Sequence, residues 1–280
     1  MQDKYSAVWV SHSSMGDFLK CPRLYYLHNV YKDPRTSHKI SIVTPHMSLG
    51  VAVHEVLEGL GDYPSEGRMD RDLAVWFEEI WKKTSGVKGG FASDAEEQEF
   101  KSRGLSMLEK VKANPRFLPR KRLKLPRETM NPNFFLNETD NIILNGLIDW
   151  IEYLPESDSL HIVDFKTGKR EEQEASLQLP IYLLLCNALQ KRTVSKASYW
   201  YLESDKIVEK ELPDADVAYR DVLEVALKVK GAREKKTFDC PSGAEGCAGC
   251  RPYELILTKD PRAEFVGVGG FNQDMYVVKK

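Results

Sequence analysis

One stretch, NGLIDWIEYLPESDSLHIVDFKTGK at 145–169, limits the fold more than any other part of the chain. It holds two runs rich in apolar, β-favouring residues, read as strands over Asn141–Tyr153 and Leu160–Phe165, with LPESDSL as the hairpin connection between them. Asp149 falls inside the first run and Asp164 at the end of the second, with Lys166 two positions on. Residues i and i+2 of a strand point to one face, so Asp164 and Lys166 project together, and pairing of the two strands lets Asp149 approach the same point. Asp149 follows Leu144, Leu147 and Ile148. A carboxylate among such neighbours is costly to bury unless it is paired or holds a metal.

Two carboxylates at a strand end make a hard oxygen site suited to Mg²⁺ or Mn²⁺, with coordination positions left for water and phosphate. A lysine beside them can orient a water or stabilise charge on a phosphoryl group. The pattern points to phosphodiester hydrolysis, although an isolated D-x-K triplet is common and says little alone.

The rest of the chain supplies the frame. Ser11–Val30 reads as a helix interrupted near Cys21 by Pro22. Helices follow over Leu49–Leu60, Arg71–Lys83 and Ser93–Lys112, then strands over Arg122–Thr129 and Phe134–Asn137 ahead of the hairpin. Beyond it come a helix over Glu171–Leu189, strands over Ala197–Glu203 and Lys206–Glu211, and a helix over Ala215–Lys230. The cysteine-rich end reads as loop with a last strand at Met275–Val278. The pattern is α/β, with a helical N-terminal insertion and a C-terminal cap.

Forty Lys and Arg against 42 Asp and Glu give a net charge of −2, so nothing global favours nucleic acid. A local basic run does: Arg116, Arg120, Lys121, Arg122, Lys124 and Arg127, to be weighed against a solvated charged face. The longest apolar run, Leu177–Leu189, is short and interrupted by Gln178, Pro180 and Asn187, and the N-terminus lacks a secretory pattern. A cytoplasmic protein without membrane contact is expected.

GLIDW, IVDFKTGK and LQLPIYLLL together resemble the G-x-I-D, D-x-K-T-G and Q-x-x-x-Y series of RecB-like members of the PD-(D/E)XK nuclease superfamily. Upstream, LGVAVHEVLEG resembles their G-x-x-x-H-x-x-L-E helix at Gly50, His54, Leu57 and Glu58, and SHSSMGDFLKCPRLYYL their S-x-S-x-x-x-x-F-x-x-C-P start. The resemblance implies a restriction-endonuclease-like core, a mixed central sheet flanked by helices, within one unit spanning 1–280. Its parts would be an N-terminal helix at 11–30, a helical segment at 46–118, a nuclease core at 122–232 and a cysteine-rich cap at 236–280. It implies that Asp149, Asp164 and the Phe165 carbonyl bind metal and that Lys166 positions the nucleophilic water. His54 would complete the metal site or contact phosphate, and Gln178 and Tyr182, four apart on one helical face, would lie near the DNA.

Five cysteines, an odd and scattered number, argue against a disulfide framework. Cys247-x-x-Cys250 has metal-ligand spacing, Cys240 lies seven residues upstream, and Cys21 is far away. By spacing alone, four thiolates suit zinc and an iron–sulfur cluster equally. The resemblance, to CRISPR-associated exonucleases and AddB-type subunits, implies a 4Fe-4S cluster held by one N-terminal and three C-terminal cysteines. In those relatives the last cysteine would fall near Ile256, where this chain has none, and Cys240 takes its place. Cys186, among leucines, reads as an inert core thiol.

The expected function is a Mg²⁺- or Mn²⁺-dependent DNA nuclease, exonucleolytic on single-stranded ends, serving recombination, repair or CRISPR spacer processing with helicase or CRISPR adaptation partners. The alternatives are a non-catalytic DNA-end-binding subunit of a helicase–nuclease complex and an enzyme acting on RNA. No P-loop is present, so a helicase within this chain is not expected.

Overall fold

The computed structural model describes residues 3–126, 131–172 and 175–279. The chain opens with β1 (Val8–Val10) and α1 (His12–Lys20), which Ser11 starts through a reciprocal capping box with Ser14. Cys21 adopts an extended backbone, and Pro22 restarts the chain as α2 (Pro22–Tyr25), which passes into a π-helical turn at Tyr26–Val30. After β2 (Lys39–Ile42) come three helices: α3 (Pro45–Leu60), capped by Thr44 with Pro45 at its first position, α4 (Leu73–Trp81) and α5 (Asp94–Ala113). Asp94, Glu96 and Glu97 in the first turn of α5 suit its dipole.

Next are β3 (Asn133–Asn137), β4 (Ile142–Asn145), β5 (Trp150–Leu154), β6 (Ser159–Lys166), α6 (Gln178–Leu189), β7 (Val194–Tyr201), β8 (Lys206–Lys210) and α7 (Ala215–Lys235). The chain ends in α8 (Arg251–Leu257), β9 (Ala263–Gly269) and β10 (Gln273–Val278).

The architecture is α/β around a mixed four-stranded sheet, ordered β5–β6–β7–β8, in which β6 and β7 are parallel and the outer pairs antiparallel. One face of this sheet (Trp150, Val163, Phe165, Trp200) packs on α3, α4 and α5. The opposite face (Ile151, Leu160, Ile162, Ala197, Tyr199) packs on α6 and α7. With both faces covered, β6 is buried along seven of its eight residues, the polar Ser159, His161 and Asp164 among them. Each large side chain so buried contributes roughly 1.5–3 kcal/mol. A separate cluster joins Cys21, Leu24, Leu27 and Ile40 to Cys240, Cys250, Tyr253 and Ile256, tying the N-terminal segment to the C-terminal one.

Four expectations need correction. The run Asn141–Tyr153 is two strands in two sheets: β4 pairs with β1 and β3, and the chain then breaks at Gly146 before β5. A Cβ at Gly146 would lie 2.8 Å from Leu185, so the break runs tight beneath α6. Instead of a strand, Arg122–Pro126 makes one bridge, Arg122 to Glu152, and Pro126 has no N–H with which to extend it; residues 127–129 lie outside the described residues. The helix expected from Glu171 begins at Gln178, with Pro180 in its first turn where the missing N–H costs nothing. The C-terminal end holds more structure than the sequence suggested: β10 pairs with β2 in parallel and with β9 antiparallel. No helix among the described residues is long and apolar enough to cross a membrane.

Candidate active site

The break before β5 puts Asp149 at the open end of the β5–β6 hairpin, beside the last residues of β6. The Phe165 N–H, past the end of the ladder, donates to Asp149 Oδ2 at 2.7 Å. A residue's N–H and C=O point to the same strand edge in an extended chain, so the Phe165 carbonyl faces this side too. On the α6 face, Asp164 Oδ2 pairs with Lys166 Nζ at 2.9 Å, while Asp164 Oδ1 accepts from Gln178 Nε2 at 2.8 Å and from the Tyr182 hydroxyl at 3.0 Å. Lys166 Nζ also donates to Gln178 Oε1 at 2.6 Å and pairs with Glu172 at 3.1 Å. Gln178 and Tyr182, one helical turn apart, thus both reach Asp164.

From the other side, α3 brings His54 Nδ1 to 3.3 Å from Asp149 Oδ1 and 3.5 Å from Glu58 Oε1. All the residues singled out in the sequence for this site meet at one sheet end. Two further acids join them. Glu58 shares the His54 face of α3, a proximity that i, i+4 spacing announces. Glu172 arrives from a loop with no sequence signal.

Charge is crowded here. Burial pushes the Asp164 carboxyl up to about 7, and the Asp149 charge adds to the rise against the opposing pull of Lys166. Burial disfavours the His54 imidazolium, but the Asp149 and Glu58 carboxylates overcome it and raise the ring to about 10. Desolvation, with the nearby Asp164 charge, also holds the Tyr182 phenol well above its ordinary range, so it acts as a donor.

The sequence pattern of the PD-(D/E)XK nuclease superfamily matches residues 9–253. The chain belongs to this superfamily. No curated protein matches the sequence. Membership supports a divalent-metal-dependent nuclease with DNA as substrate.

The nuclease's site fits such a cation. His54, Glu58 and Asp149 each offer a donor atom within 4.8 Å of the others, a predominantly oxygen set suited to Mg²⁺ or Mn²⁺. Asp164 lies outside that triplet, its oxygens held by Lys166, Gln178 and Tyr182.

The nuclease's basic run does not form a continuous free patch. Arg116 pairs with Asp205 at 2.7 Å, Arg120 with the buried Glu152 at 2.5 Å, and Lys124 with Asp62. Lys121 sits over the Tyr153 ring, Arg122 is partly buried, and Arg127 lies outside the described residues.

Cys21, Cys240, Cys247 and Cys250 converge with all four sulfurs within 4.8 Å of one another. Cys250 Sγ is 3.7 Å from Cys240 Sγ and 3.8 Å from Cys247 Sγ. Four sulfurs each about 2.3 Å from one tetrahedral ion would stand about 3.8 Å apart. The spacing therefore fits a single ion. A 4Fe-4S cube places iron and sulfide between its thiolates and needs them farther apart, so the thiols as placed do not fit it. Cys186 is apart from this group, its thiol pushed up to about 12 by burial.

Proposed function

We propose that this protein hydrolyses DNA phosphodiester bonds with Mg²⁺ or Mn²⁺, as an exonuclease on single-stranded ends. The observation that supports it most is the meeting of Asp149, Asp164 and Lys166 at one sheet end with His54 and Glu58 opposite. In this reading Asp149, Glu58 and His54, with Asp164 and the Phe165 carbonyl beside them, would hold the cation. Bound there, such a cation would lower the pKa of a water and offset charge developing on the phosphoryl group. Lys166, anchored by Asp164, Glu172 and Gln178, orients that water, and Gln178 and Tyr182 fix Asp164 by donating to one of its oxygens. The complete set of ionisable groups favours turnover over a non-catalytic end-binding subunit.

The single-strand and exonuclease assignments, a role in recombination, repair or CRISPR spacer processing, and helicase or CRISPR adaptation partners rest on the RecB-like resemblance. So does the reading of 1–280 as one nuclease unit, which the joining of Cys21 to the C-terminal cysteines supports. For the four-cysteine site the resemblance implies a 4Fe-4S cluster, but the sulfur spacing favours zinc in a structural role. Incubation of end-labelled single- and double-stranded DNA with Mn²⁺, each end blocked in turn, is expected to give stepwise loss from free single-stranded ends. Cutting of circular single strands would remove the exonuclease assignment, and no cutting with any divalent metal would remove the enzyme.

The acid–base balance gives a second test. Asp164 has a raised pKa in the fold, so its contribution to stability is full below about 4 and is lost as pH rises through about 7. The raised His54 contributes in the same sense, fully below 6.5 and less as pH climbs towards about 10. Metal binding needs both groups deprotonated, so it competes with protons. The rise in melting temperature on adding Mn²⁺ should grow between pH 5.5 and 8 in scanning fluorimetry. A shift independent of pH would mean that neither group takes part.

A further inference from the structure

Arg122 lies in the basic run, yet its guanidinium points into the protein. Nη1 donates to the Glu58 carbonyl and Nη2 to the Asp149 carbonyl, both at 2.7 Å. These are the main-chain oxygens of two of the three residues whose side chains form the cation-sized triplet. One planar, rigid group therefore spans the end of α3 and the start of β5. The guanidinium carbon lies 4.5 Å from the centre of the Trp150 ring, which fixes its plane. The space is reserved for it: a Cβ on Gly61, just past the end of α3, would stand 1.8 Å from Arg122 Nη1. Gly61 has an ordinary helical φ of −68°, so a side chain there would be opposed by the guanidinium in its present place and not by the backbone.

We infer that Arg122 is a positioning residue for the metal site, setting the separation of Glu58 and Asp149 by bridging their carbonyls. α3 and β5 are far apart in sequence, and no direct backbone ladder joins a helix to a strand. A shift of α3 by even 1 Å would spoil a site whose donor atoms must converge on one ion. A lysine has a single ammonium in place of the two-pronged fork and cannot span both carbonyls with the same geometry.

This inference rests on the metal site proposed above, and the test separates the two. Mn²⁺ binding is measured by calorimetry on DNA-free wild-type protein and on Arg122→Ala, Arg122→Lys and Gly61→Ala; KM and kcat for single-stranded DNA follow at saturating Mn²⁺. Arg122→Ala should weaken Mn²⁺ binding at least tenfold, with Arg122→Lys giving little rescue and Gly61→Ala a loss in the same direction. KM for DNA at saturating metal should stay within threefold of wild type. Wild-type Mn²⁺ affinity in Arg122→Ala overturns the inference and leaves the metal site standing. A raised KM with unchanged Mn²⁺ affinity overturns it in favour of a phosphate contact. Wild-type protein that binds no Mn²⁺ overturns both. If Arg122→Ala fails to fold, Gly61→Ala decides: unchanged Mn²⁺ affinity there overturns the inference.

Discussion

Lys166→Ala should cut DNA about 10²–10⁴ times more slowly than wild type, the span that one positioned proton-handling or charge-stabilising group typically contributes. Mn²⁺ affinity should change by no more than a few-fold, because the donor triplet of His54, Glu58 and Asp149 does not include the lysine. The ammonium is fixed by three partners, Asp164 at 2.9 Å, Glu172 at 3.1 Å and Gln178 at 2.6 Å, so it is oriented before substrate arrives. Its charge also pulls Asp164 down, against burial and Asp149. Removing it lets the Asp164 pKa rise beyond about 7, so the residual activity should move to higher pH. Single-turnover rates on labelled single strands, taken across pH at saturating Mn²⁺, measure both effects. A variant that cuts at the wild-type rate would sink the assignment of Lys166.

Much of this site was legible because strand and helix periods fix which side chains share a face. Asp164 and Lys166 project together from β6, and Gln178 and Tyr182 share a face of α6, as period-2 and i, i+4 spacing require. Periodicity does not say where a strand changes partners. The apolar run around Asp149 hid the step from β4 to β5, which depends on the close approach of Leu185 to Gly146 and places Asp149 at the hairpin end. Nor does a charge run reveal its partners. Arg116 and Arg120 are matched by Asp205 and Glu152 from distant elements, and the two carbonyls bridged by Arg122 leave no mark in a sequence. β9 was missed because its residues, AEFVGVG, include two glycines and its pairing depends on β10 and β2.

Cys250→Ser should remove the bound metal from the four-cysteine site and lower the melting temperature sharply. Cys250 is fully buried, its sulfur within 3.8 Å of two others. Structural zinc in small sites binds with an apparent ~10–16 kcal/mol, comparable with the roughly 5–15 kcal/mol that separates a folded domain from its unfolded chain. The damage should begin locally. The parallel pairing of β2 with β10 is a second tie between the N- and C-terminal parts, so residues 21–30 and 240–257 should open to proteolysis before the central sheet does. The Cys186→Ser control should keep its metal, since that thiol stands outside the group. Metal analysis of the purified protein decides the ion: one zinc per chain and no absorbance near 400 nm agree with the sulfur spacing, whereas about four irons with that absorbance establish the cluster. If neither metal is present and Cys250→Ser melts like wild type, the convergence is thiol packing. The N- and C-terminal parts would then be held by Leu24, Leu27, Ile40, Tyr253 and Ile256, with the β2–β10 pairing and the Arg23–Glu254 ion pair.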